Sequence, residues 1–157
     1  MNPLYTILKK KNIFLIFFLF IAFSCEKSIP ITNINCQSIE DRDGIMFSED
    51  KLFTGSCNTF YDDNESLNEV RTYKDGIMSG VWAKYYRNGQ LEYKGEAKRG
   101  QIHGDYVGYY FNGQLKEKGR LKVGHRDGSW VLYDTNGKLI RKELHKNKQM
   151  IRYEEIN

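Results

Sequence analysis

From residue 80 onward, apolar and polar positions alternate in short runs that glycine turns interrupt at regular intervals. The runs read GVWAKYYRNGQLEYKGEAKRGQIH, GDYVGYYFNGQLKEKGRLKVGHRD and GSWVLYDTNGKLIRKELHKNKQM. They are three versions of one unit, starting 24 residues apart at Gly80, Gly104 and Gly128. A period of two marks β-strands, and no stretch after residue 24 shows the period and caps of a helix. Asn88-Gly89, Asn112-Gly113 and Asn136-Gly137 each lie between aromatic and aliphatic residues. Asn-Gly in that setting predicts a type I′ hairpin, whose two turn positions both need positive φ. A second turn follows at Arg99-Gly100 and Val123-Gly124. Each unit therefore predicts one hairpin, and the chain an all-β antiparallel meander of about eight to ten strands. A unit this short cannot bury a core alone, so it must stack on its neighbours.

The same pattern fades toward the ends. Residues 55–79, GSCNTFYDDNESLNEVRTYKDGIMS, are a degenerate first copy. Phe60 and Tyr61 fall where later copies carry Tyr85-Tyr86 and Tyr109-Tyr110, and an inserted residue replaces the Asn-Gly turn. Terminal copies of an array are expected to be atypical. In residues 39–54, Asp43-Gly44 and Glu49-Asp50 flank Ile45-Met46-Phe47, which predicts one or two short strands capping the array. Residues 25–38 read as a tether, and residues 149–157 as a further edge strand or a loose end. The expected organisation is a leader over 1–24, the tether, the cap, and a repeat domain over 55–157 with copies starting at 55, 80, 104 and 128.

Counting outward from Asn-Gly as the two turn residues assigns the faces. Tyr86 then opposes Leu91, Tyr110 opposes Leu115, and Leu139 opposes Asp134. Trp82 opposes Gly95, Tyr106 opposes Gly119, and Trp130 opposes Glu143. A ring opposite a glycine covers bare backbone. This apolar side, with Ala97 and Leu121, is the expected core face. The alternate side carries Ala83, Val107 and Val131, with three further rows. One is Tyr85, Tyr109 and Tyr133; one is Lys94, Lys118 and Lys142; one is Lys98, Lys122 and Lys146. Tyrosine offers apolar area with a polar tip, and lysine offers charge to acidic partners. This Tyr/Lys side is the candidate binding face. Lysines on a sheet also discourage aggregation, and their stems can cover tyrosine rings without any partner.

The first residues change the cellular picture. Lys9, Lys10 and Lys11 precede an apolar run over residues 13–23, and Ala22 and Ser24 stand three and one positions before Cys25. This is the pattern of a secretory signal, too short for an ordinary membrane-spanning helix. It also resembles a bacterial lipoprotein signal, which implies a diacylglycerol on the Cys25 sulfur. Without the three leader lysines the chain has 21 basic and 20 acidic residues. The balance is uneven: residues 25–78 hold 5 basic and 11 acidic side chains, residues 79–148 hold 15 and 7. An exported, near-neutral chain is a poor nucleic-acid binder. In an oxidising compartment the remaining Cys36 and Cys57 are expected to pair, closing a loop of about 20 residues worth about 3 kcal/mol.

Residues 93–104, YKGEAKRGQIHG, resemble the Tyr-x-Gly-x-x-x-x-Gly-x-x-His-Gly pattern of MORN repeats. Residues 117–128, EKGRLKVGHRDG, keep its glycines but carry Asp127 at the histidine position. Ala97 and Leu121 stand where that family often has Trp, and Tyr106 where it has Gly. The added Asn-Gly-x-Leu hairpin is closer to a bacterial variant group, whose members are often labelled antitoxin-like and are often lipoproteins. The resemblance covers roughly residues 53–150. It implies an elongated, twisted single-layer sheet that binds protein or membrane, and no reaction.

No motif contradicts that implication. His103, His125 and His145 lack metal-ligand spacing, and Asp62, Asp63 and Glu65 lack the length of a calcium loop. No nucleophile, zinc or phosphate-loop signature is present, so neither a catalytic site, a metal nor a cofactor is expected. The reading is a non-enzymatic, lipid-anchored interaction or scaffold protein, exported to a membrane, outer membrane or cell surface, with an unidentified protein or membrane partner. Two alternatives stand beside it: an antitoxin or immunity-like protein that neutralises a partner, and a glycan-binding module that uses the Trp and Tyr rows as platforms.

Overall fold

The computed structural model of the protein describes residues 33–63 and 65–156. The leader and Cys25 lie outside them. Among the described residues fourteen strands follow in chain order. The first four are short: β1 (Asn33–Asn35), β2 (Glu40–Arg42), β3 (Ile45–Ser48) and β4 (Lys51–Leu52). The array comprises β5 (Gly55–Phe60), β6 (Leu67–Lys74), β7 (Ile77–Tyr85), β8 (Leu91–Lys98), β9 (Gln101–Ile102) and β10 (Gly104–Tyr109). It continues with β11 (Leu115–Lys122), β12 (His125–Tyr133), β13 (Leu139–Lys146) and β14 (Gln149–Glu155). A 3-10 turn at Cys36–Ser38 is the one helical element among the described residues.

Eleven strands form one open sheet in the order β1-β5-β6-β7-β8-β10-β11-β12-β13-β14, with β9 on β8. Every pair is antiparallel except β1 with β5. The protein is thus all-β, a meander of stacked hairpins. Nine strand spacings of about 4.8 Å make the sheet roughly 43 Å across. There are more strands than the sequence suggests. The cap is a three-stranded sheet, β2-β3-β4, and Asn33–Asn35, read as tether, is strand β1.

The turn assignment is corrected by the structure. The Asn-Gly pairs are not type I′ turns. Tyr86 N–H donates to the Gln90 carbonyl at 2.8 Å and Gly89 N–H to the Tyr86 carbonyl at 2.9 Å, so the loop is three residues long. Gly89, Gly113 and Gly137 have φ of 82°, 82° and 83°, while their asparagines keep negative φ. Asn88 Oδ1 instead accepts the Gln90 amide at 3.1 Å, and Asn112 does the same for Gln114. That side-chain bond holds the residue in the ordinary turn region. A bulge follows, which pairs Tyr85 with Leu91, Tyr109 with Leu115 and Tyr133 with Leu139. The leucines therefore join the tyrosine face instead of opposing Tyr86, Tyr110 and Asp134. The bulge also restores the register beyond it. Trp82 pairs with Gly95, Tyr106 with Gly119 and Trp130 with Glu143, as counted. The two-residue type I′ turns lie at the other end of each copy. Arg99 and Gly100 have φ of 52° and 79°, Val123 and Gly124 of 53° and 74°.

Stacking is locked at both ends of the hairpins. At the Asn-Gly end, the Tyr61 hydroxyl donates to the Tyr85 carbonyl, Tyr86 to Tyr109 and Tyr110 to Tyr133, at 2.7, 2.9 and 2.9 Å. At the type I′ end, Gly76, Gly100 and Gly124 N–H donate to the carbonyls of Phe53, Met78 and Ile102 at 2.8, 2.8 and 2.9 Å. Each copy thus satisfies backbone groups of its neighbour, as a quasi-one-dimensional stack requires. Hydrophobic burial is concentrated under the cap, where Phe53, Cys57 and Tyr73 are buried among Ile34, Ile39, Met46 and Met78. A disulfide joins Cys36 to Cys57 there.

Candidate functional site

The two faces of the sheet differ in how their charges are used. On one face the rings of Trp82, Tyr93, Tyr106 and Trp130 form a row, with successive centroids 4.5, 6.1 and 5.6 Å apart. Trp130 is 1 % exposed, lies flat over Gly119, and donates from Nε1 to the Arg120 carbonyl at 3.1 Å. Trp82 Nε1 donates to Glu69 Oε1 at 2.6 Å. The Arg126 guanidinium sits 4.2 Å from the Trp130 ring centroid, and it bonds both Glu117 and Glu143. His145 Nε2 lies 2.9 Å from the same Glu143 carboxylate. Burial would raise the Glu143 carboxyl, but the His145 hydrogen bond and the Arg126 charge outweigh it and hold it below its ordinary range. Burial pushes the Tyr93 and Tyr106 hydroxyls up to about 12. Charge on this face is consumed internally.

The opposite face presents its charge outward. One cross-strand row runs Ala83, Lys94, Val107, Lys118, Val131, Lys142 over β7 to β13. Paired residues share a face, so small aliphatic residues alternate with lysines, and Ala83 is 2 % exposed among them. Lys94, Lys98, Lys118, Lys122, Lys142 and Lys146 are all exposed. None of the six forms an ion pair among the described residues. Tyr85, Tyr109 and Tyr133 are half-buried. Their carbonyls accept the interrepeat hydroxyl bonds, so these residues serve the stack as well as the face. Acidic groups are fewer: Glu96 lies against Gly104, Asp105 pairs with Arg120 at 3.4 Å, and Glu154 opposes Lys142.

Shallow hollows recur between hairpins. One of about 130 Å³ is lined by Lys94, Glu96, Asp105 and Val107. The next, about 450 Å³, is lined by Lys118, Arg120, Ser129 and Val131, and a third of about 170 Å³ by Val131, Lys142, Arg152 and Glu154. Each contains one lysine of the row. Among the described residues no three His, Cys, Asp or Glu side chains are placed to hold a metal ion. The ring face holds residues the sequence reading passed over, namely Tyr93, Glu69, Glu117 and Arg126. Tyr93, Glu117 and Arg141 occupy one repeat position, but their types differ, so no periodic signal marked them.

These features define a repeat protein whose hairpins stack into an open sheet, with one self-contained face and one face of outward lysines. Three of its segments, residues 78–98, 102–122 and 126–147, match the sequence profile of the MORN repeat variant. Each match is one hairpin bounded by type I′ turns: β7–β8, β9 to β11, and β12–β13. The β5–β6 hairpin, with the same bulge between Thr59 and Phe60, lies outside the matched segments. No curated protein and no solved structure matches the chain.

Proposed function

We propose that the protein is a non-enzymatic, lipid-anchored scaffold that holds a protein or membrane partner on its Tyr/Lys face. One observation carries the reading: six exposed lysines at the repeat period stand without ion pairs among the described residues, while arginines and glutamates on the other face pair with each other. MORN-type repeats suit an interaction module of this kind. The buried Trp130, with Arg126 over its ring, speaks against that end of the aromatic row as a sugar platform, while Trp82 and Tyr106 are half-buried and line a hollow of about 290 Å³ on the same face. Cys25 is the proposed attachment point, which places the face outside the cytoplasmic membrane. Replacing Lys94, Lys118 and Lys142 together with Gln tests the face by affinity capture from the native membrane. The partner recovered by the wild-type chain is expected to be lost; equal recovery would overturn the reading. Cys25→Ser is expected to move the protein from the membrane to the soluble fraction, and retention in the membrane would remove the lipid anchor.

A further inference from the structure

The lysine face carries a spacing as well as a charge. Lys94, Lys118 and Lys142 lie on β8, β11 and β13, separated by Val107 and Val131. With strands about 4.8 Å apart, successive lysines emerge about 10 Å apart along a line that crosses the strands. Resting on the reading of this face as a contact surface, we propose that it takes one extended acidic segment of a partner protein, laid across the strands, with a carboxylate at every third residue. An extended or polyproline II chain advances about 3.1 to 3.3 Å per residue, so three residues cover about 9 to 10 Å. In polyproline II, with 3 residues per turn, those residues also project on one side. The backbone between successive carboxylates passes over Val107 and Val131, and each carboxylate meets the outward lysine at a hollow whose lining also holds Glu96 and Asp105 beside Lys94, Asp105 and Arg120 beside Lys118, and Glu154 and Arg152 beside Lys142. A carboxylate out of phase between Lys94 and Lys118 falls over Val107 on β10, where the row offers no cation.

Twist separates this occupant from a lipid surface. Neighbouring strands rotate by about 20 to 25°, so the four steps from β8 to β13 turn the face by about 80 to 100°. A flat bilayer set against Lys118 meets Lys94 and Lys142 obliquely, each about 40 to 50° off its normal, whereas a flexible chain winds with the sheet and meets all three head-on.

The test uses the processed chain purified from the producing cell and fluorescent peptides of one composition. One peptide carries glutamates at i, i+3 and i+6, the other at i, i+2 and i+4. The phased peptide is expected to bind the tighter. Its binding is expected to weaken with salt and by about tenfold in the Lys94→Gln, Lys118→Gln, Lys142→Gln variant. Thermal unfolding of that variant checks that the fold is kept. Equal binding of both peptides overturns the spacing and leaves the contact face standing. Binding to phosphatidylglycerol vesicles or to a polyuronate, lost in the variant, without binding to the phased peptide, overturns the partner class and again leaves the face standing. If the triple variant changes nothing with any probe, the face itself is refuted along with the segment.

Discussion

Gly95, Gly119 and Glu143 occupy one position in successive copies, and the rings around them explain why the residues differ. A Cβ on Gly119 would overlap three atoms of the Trp130 indole, whereas on Gly95 it would lie 3.5 Å from Trp82 and Tyr106, an ordinary contact. Neither glycine has positive φ, so the contrast is steric. Gly119→Ala is expected to destabilise by about 1 to 3 kcal/mol through overpacking. Gly95→Ala is expected to be neutral or to stabilise by about 0.5 kcal/mol, since alanine restricts the unfolded chain. Urea unfolding of the two variants decides it, and equal losses would refute the ring placement. Glu143 shows the electrostatic version of the same position. Its carboxyl is held low in the fold, so the ionised form is the one folding favours. That contribution is present above the ordinary glutamate value of 4.5 and is lost as pH falls through the folded value. Stability measured from about pH 6 to pH 3 should therefore fall more steeply in the wild-type chain than in Glu143→Gln. Parallel curves would show that the Arg126 and His145 contacts contribute nothing net.

At the scale of the element, the hairpin was legible but its turn was not. Asn-Gly marked where the chain reverses. The pair alone does not set the turn type: Asn88 and Asn112 each accept the amide two residues on, in the third copy Asp134 Oδ1 accepts the Asn136 and Lys138 amides instead, and Asn112 Nδ2 also reaches across to the Thr135 carbonyl at 2.8 Å. That last, interrepeat bond exists only once copies are stacked. The positive-φ burden falls on the opposite turns, where Val123 has φ of 53°. A β-branched residue there is strained, and its side chain is exposed, so packing does not demand it. Val123→Asn is expected to raise stability by about 1 kcal/mol, because asparagine tolerates the left-handed region. A lower denaturation midpoint in this variant would place the type I′ turn elsewhere.

Across the whole molecule, the array is sealed at the β1 end by the small sheet and by the disulfide, which spans 21 residues of sequence. Neighbour-only coupling makes that seal local. Cys57→Ser with Cys36→Ser is expected to cost about 3 kcal/mol in global unfolding. Hydrogen exchange should quicken in β1, β5 and β6 well before β12 and β13. Uniform quickening along the sheet would mean that the copies unfold as one unit.

What the sequence determined by itself was the strand period, the number and spacing of full copies, the all-β class, and the aromatic and lysine rows that fall on opposite faces. Those follow from side-chain alternation and glycine turns, which are local. The register across Trp82–Gly95 and Trp130–Glu143 was readable as well, because the loop's extra residue and the bulge cancel. Only the tertiary structure decided which turns take positive φ, which residues tie one copy to the next, and which charges are already consumed. Arg126 and Glu117 meet Glu143 because strands fold side by side, and no local pattern encodes that meeting. Among the described residues, Lys94, Lys118 and Lys142 take no part in such pairing, and neither do Lys98, Lys122 and Lys146.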